Sequence, residues 1–138
     1  MHKNEQEIIT QALNIAKKST MRSKHGCVIV DNKGNTISTG FNKEIFLYKR
    51  EHHTYYDKFE KNKSVHAEVN AIRNVDPAKL NGAKLYVVRW GSHESNPLVM
   101  NSKPCKRCAS VIERCIKKYG LKYAYYSSDL DYCVPVEI

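Results

Sequence analysis

Two short motifs, far apart along the chain, constrain the fold more than anything else in it: His66-Ala67-Glu68 and Pro104-Cys105-Lys106-Arg107-Cys108. Together they offer one imidazole, two thiols and one carboxylate. The spacing suits helices. Ala67 to about Asn74 reads as a helix with His66 and Glu68 at its first turn. Pro104 is well tolerated at the first position of a second helix, running to about Tyr119, where Cys105 and Cys108 share a face. The positive end of that helix is expected to favour both thiolates. One imidazole and two thiolates form a zinc ligand set, and three protein ligands with a vacant fourth position mark a catalytic site rather than a structural one. Glu68 is then left to move protons. The plainer reading, a buried histidine and unrelated core cysteines, leaves the order of the motifs and the carboxylate between them unexplained.

The rest of the chain reads as alternating elements. Glu5 to Lys18 has Ile8, Ala12, Ile15 and Ala16 at helical spacing. Gly26 to Asp31 is a β-branched strand, Asn32-Lys33-Gly34-Asn35 a turn, and Thr36 to Phe41 the return strand of a hairpin. Lys43 to Ser64 is polar and aromatic, with His52 and His53 as candidates for a second metal site or a surface pair. Ala83 to Trp90 is a strand, Gly91 to Asn101 a loop, and Leu121 to Ser127 a further strand after the Gly120 helix stop. A strand, a helix and a strand in succession imply a right-handed crossover and parallel pairing. The expected fold class is α/β: a three-layer α/β/α arrangement with a mixed sheet of four to five strands and helices on both faces.

The 138 residues suit one domain spanning 1–138. No apolar run approaches the roughly 20 residues that span a bilayer, and the start lacks a secretory stretch. The expectation is an intracellular protein without membrane contact. Five cysteines are therefore expected as thiols. The formal charge of +9 suits a phosphate-bearing partner, whether nucleotide or polynucleotide.

This pattern resembles the zinc-dependent cytidine deaminase superfamily, and within it the deoxycytidylate (dCMP) deaminase family. The resemblance rests on Ala12 to Ser19, Gly26-Cys27-Val28-Ile29-Val30, Gly40-Phe41-Asn42 and the two motifs above. It implies zinc on His66, Cys105 and Cys108, Glu68 as proton shuttle, and a cytosine nucleotide or nucleoside as substrate, dCMP foremost. It also implies a sugar contact at Asn42, which otherwise reads as a strand-end turn residue. The backbone around Ala67 would face the base, with Tyr126 near it unless strand packing accounts for that ring. Arg22, Lys24 and Lys43 are candidates for the phosphate. Alternatives are a deaminase of cytosine or adenine in single-stranded RNA or DNA, and an inactive zinc-holding partner subunit, against which the intact Glu68 speaks. Compared with the family, the chain after Ser127 is too short for a further helix and strand. The sheet edge must then be covered by the tail or by a second copy, which predicts a homo-oligomer. The segment before His66 also departs from the family's phosphate and effector region.

Overall fold

Cys27 and Val28 are neighbours in the chain but belong to different cores. A computed structural model describes residues 4–44, 64–91, 98–128 and 133–136, and its central feature is the strand that carries these two. Strand β1 (Lys24–Val30) pairs antiparallel with β2 (Thr36–Phe41) on one side and with β5 (Lys84–Gly91) on the other. Successive strand side chains point to opposite faces. Cys27 and Ile29, with Leu85 and Val87, pack on helices α2 (Ala67–Arg73) and α3 (Lys106–Tyr119) through Ala67, Ala71, Ile112 and Cys115. Val28 and Val30, with Tyr86 and Val88, pack on helix α1 (Glu5–Ala16) through Ile8, Ile9 and Ala12. Burying an aliphatic side chain contributes roughly 1.5–3 kcal/mol, so strands buried on both faces tie the layers together. The expected three-layer α/β/α architecture follows.

The sheet runs β2-β1-β5-β7-β8, where β7 is Tyr123–Ser127 and β8 is Cys133–Pro135. Strands β5 and β7 are parallel, joined by the crossover through α3, and the other pairs are antiparallel. A sixth strand, β6 (Leu98–Met100), adds to the end of β5, so the stretch expected as loop from Gly91 to Asn101 contains a strand. The tail also contributes a strand, β8, which covers the β7 edge. A two-strand ladder of β3 (Lys43–Glu44) and β4 (Ser64–Val65) joins the two ends of the polar segment. His52 and His53 lie outside the described residues. Among the described residues, no helix is long and apolar enough to cross a membrane.

Two glycines set the helices on the sheet. A Cβ on Gly26 would overlap the Ala12 carbonyl oxygen of α1, and one on Gly40 would overlap the Ala71 backbone nitrogen of α2. Helix α2 is further tied to β2 by Ser38 Oγ donating to the Ala71 carbonyl at 2.6 Å and by the Phe41 amide donating to Asn70 Oδ1 at 3.2 Å. Helix α3 ends on Gly120 in the left-handed region, at φ 80°. It begins two residues later than its proline suggests: Cys105 is the N-cap and Pro104 lies outside.

Candidate active site

The N-termini of α2 and α3 meet beside the end of β1. His66 is the N-cap of α2 and Cys105 that of α3. His66 Nδ1 lies 3.2 Å from Cys108 Sγ and 3.6 Å from Cys105 Sγ, and the three candidate ligand atoms all fall within 4.8 Å of one another. A tetrahedral zinc with Zn–N of about 2.0–2.1 Å and Zn–S of about 2.3 Å sets N···S separations of roughly 3.5 Å. The donor set and its spacing therefore fit a zinc ion.

Glu68 is buried in the first turn of α2. Burial pushes its carboxyl above the usual value, partly offset by its own backbone N–H, the His66 charge and a hydrogen bond with Cys108. The Cys108 thiol is pushed up strongly, by burial first and then by Glu68 and Cys105. At Cys108 burial thus works against the helix field expected to favour its thiolate. Only Cys105 sits at the exposed end of α3, where its sulfur accepts the Cys108 amide at 3.5 Å. Cys108 is too deeply enclosed for the field to prevail over desolvation. A bound divalent cation opposes this effect, because coordination itself favours the deprotonated thiol.

His66, Glu68 and Cys105 line a cavity of about 300 Å³, shared with Met21, Ser23, His25, Asn42, Ser64, Ala67, Ser102 and Lys103, while Cys108 lies buried behind it. Ala67 is on the wall. Asn42 is there too, but its amide is engaged: Oδ1 accepts the His25 amide at 2.8 Å and Nδ2 donates to the Ser23 carbonyl at 2.6 Å. It clamps the loop before β1 to the end of β2. Tyr126 is not on this wall. Strand alternation turns it toward α2 and α3, where it packs against the core. Arg22 and Lys43 are exposed, the Lys24 ammonium donates to the Ser19 carbonyl, and none of the three lines the cavity.

Sequence reasoning missed His25 and Ser102, whose Nδ1 and Oγ lie 2.7 Å apart. Burial, then Arg89, then His66 lower the His25 pKa to about 4, so the ring is neutral at physiological pH. A histidine preceding a strand glycine carries no signal of this pairing. Lys103 stood out only as part of a basic cluster.

A mixed sheet covered on both faces thus brings a His-Cys-Cys cluster and a buried glutamate together at two helix starts, a donor set suited to zinc. The family model described as "Cytidine and deoxycytidylate deaminase zinc-binding region" matches residues 2–121, and the chain belongs to this family. A probable deoxycytidylate deaminase of Caenorhabditis elegans is 32% identical over 117 residues, covering 72% of this chain and 49% of the relative. The chain thus spans about half the length of that curated relative. Among solved structures, the dCMP deaminase of cyanophage S-TIM5 in apo form has a TM-score of 0.59 at 22% identity, covering 92% of this chain and 84% of that one. The same protein in complex with dCMP and dUMP gives 0.57 at 21%, covering 88% and 78%. Cytidine deaminase from Burkholderia pseudomallei gives 0.62 at 16%, covering 98% and 93%. At these identities the solved structures establish the shared fold.

Proposed function

We propose that this protein hydrolytically deaminates a free cytosine nucleotide, dCMP foremost, giving dUMP and ammonia. The observation that carries the reading is the convergence of His66 Nδ1, Cys105 Sγ and Cys108 Sγ within 4.8 Å beside the buried carboxyl of Glu68. Family membership supports the chemistry. The name of the nematode relative and the dCMP and dUMP bound to the cyanophage protein support the choice of substrate. Zinc on these ligands supplies a Lewis acid that makes water nucleophilic at neutral pH. Glu68 takes a proton from the attacking water and delivers it to ring N3, and a second transfer to the C4 amino group lets it leave as ammonia. Water adds at C4, the C4–N bond breaks, and a carbonyl remains. The Ala67 backbone faces the base and Asn42 lies on the sugar side, its amide acting chiefly through the loop it holds.

Ammonia release from dCMP, CMP, deoxycytidine, cytidine, cytosine and a cytosine-bearing oligonucleotide tests the reading. Turnover of dCMP above the others is expected; turnover of the oligonucleotide alone would overturn it. We also propose that the chain acts inside the cell and as a homo-oligomer, since among the described residues β8 gives the β7 edge three residues of cover. A monomer mass by light scattering at working concentration would refute the assembly.

A further inference from the structure

The cavity wall holds one imidazole outside the zinc ligand set, that of His25. Three hydrogen bonds fix its place. Its amide donates to Asn42 Oδ1 at 2.8 Å, its carbonyl accepts the Asn42 amide at 3.3 Å, and ring Nδ1 lies 2.7 Å from Ser102 Oγ. Ser102 is itself anchored, its amide donating to the Ser127 carbonyl at 2.8 Å. A neutral imidazole carries one ring hydrogen on nitrogen, so one nitrogen donates and the other accepts. Ser102 decides which. At 3% exposure its hydroxyl is enclosed, and among the described residues His25 Nδ1 is its partner. An enclosed hydroxyl proton left without an acceptor is costly, so the serine donates and Nδ1 accepts. The ring hydrogen therefore sits on Nε2. That atom has no partner among the described residues and is not sealed from solvent. A wall residue thus offers a fixed N–H donor.

A cytosine ring has three polar groups along its edge: O2, N3 and the C4 amino group. Under the deaminase reading, on which this inference rests, Glu68 serves N3 and the amino group. O2 is left, and a carbonyl oxygen only accepts. We infer that His25 Nε2 donates to the O2 carbonyl of a 2-oxopyrimidine, and that Ser102 is the positioning residue that holds the ring in its donor tautomer. The pair is a device for choosing the base. Adenine carries a C–H at the equivalent ring carbon and would leave the donor unpaired. Sites built to hydrogen-bond a substrate group reject analogues that lack it.

Two measurements on the zinc-loaded protein test this. Nitrogen-15 correlation spectra of the His25 ring at neutral pH should show hydrogen on Nε2 and none on Nδ1. Ser102→Ala should give a mixture of the two forms, and Ser102→Thr, which keeps the hydroxyl, should restore the wild-type pattern. Hydrogen on Nδ1 in wild type, or a pattern unchanged in Ser102→Ala, overturns the role of Ser102. Calorimetry then compares dUMP with its 2-thio analogue, whose sulfur is the weaker acceptor. Wild type should favour the oxygen form roughly three- to tenfold, as one hydrogen bond predicts. His25→Leu should bring that ratio to about one, and His25→Gln, which keeps an N–H donor, should retain part of it. Equal binding by wild type, or a ratio unchanged in His25→Leu, overturns the contact. Saturating dUMP should also move the wild-type Nε2–H resonance; an unmoved resonance overturns the contact even if His25→Leu fails to fold. Ammonia release with a ratio that ignores His25 would reject the contact and keep the reaction, and a His25-dependent ratio without ammonia release would do the reverse.

Discussion

Glu68 is 5% exposed, an unusual position for a carboxylate. It is tolerable because its own amide and the Cys108 thiol bond to it, and its raised pKa brings it nearer the range where a proton can be both taken and returned. Glu68→Gln preserves shape but cannot accept the proton. We expect it to retain stoichiometric zinc by elemental analysis and to lose turnover by about 10²- to 10⁴-fold; turnover at the wild-type rate would remove Glu68 from the proton path. The convergence of His66, Cys105 and Cys108 was legible because a ligand set is carried by residue type and local helical spacing. Tyr126 was not: alternation assigns a strand residue to a face, but does not say whether that face is packed or hollow. The link from Arg89 to Ser23 joins residues 66 positions apart, a contact that only the folded sheet creates.

At the scale of elements, α2 reaches the site only because Gly40 lets its backbone lie against β2. Gly40→Ala should lift the helix that carries His66 and Glu68. We expect about 1–3 kcal/mol of destabilisation, typical of overpacking, with a loss of bound zinc larger than the same substitution at an exposed position would cause. Normal zinc content together with an unchanged urea midpoint would show that the contact is slack. A second expectation concerns the α1 face, where Tyr86 stacks on Tyr125 with ring centroids 4.9 Å apart. Burial, then Tyr125, Glu5 and Cys133, raise the Tyr86 pKa from 10.0 to about 12. The folded chain keeps this proton where the unfolded chain gives it up, so stability holds below pH 10 and declines as pH rises toward 12. Tyr86→Phe should show a shallower alkaline decline in melting temperature; an identical profile would locate the effect elsewhere, as at Cys133, whose pKa is raised to about 12. The principal strands and helices were readable from apolar periodicity. Strands β6 and β8 were not, because three residues are too few to display a period and Pro135 speaks against a strand.

At the scale of the whole molecule, the described residues form two hydrophobic clusters, and neither includes His66, Cys105 or Cys108. This separates the protein from small domains that fold only around their ion. Chelation should abolish activity and lower the melting temperature by an amount that depends on free zinc, while the far-ultraviolet circular dichroism stays that of a folded α/β chain. Restored zinc should recover both. Collapse of the dichroism on chelation would mean that the ion is structural. The layered architecture was legible in advance because both faces of β1 and β5 are written as unbroken apolar runs.

Strand β1 is hydrogen-bonded along both edges as well as covered on both faces. Its amides can reach deuterated solvent only when the molecule opens globally, so exchange should be slowest across Cys27, Val28 and Ile29 and their β5 partners. His25, which helps wall the pocket, belongs to the same strand, and that part of the chamber should keep its shape through thermal fluctuations that fray the periphery.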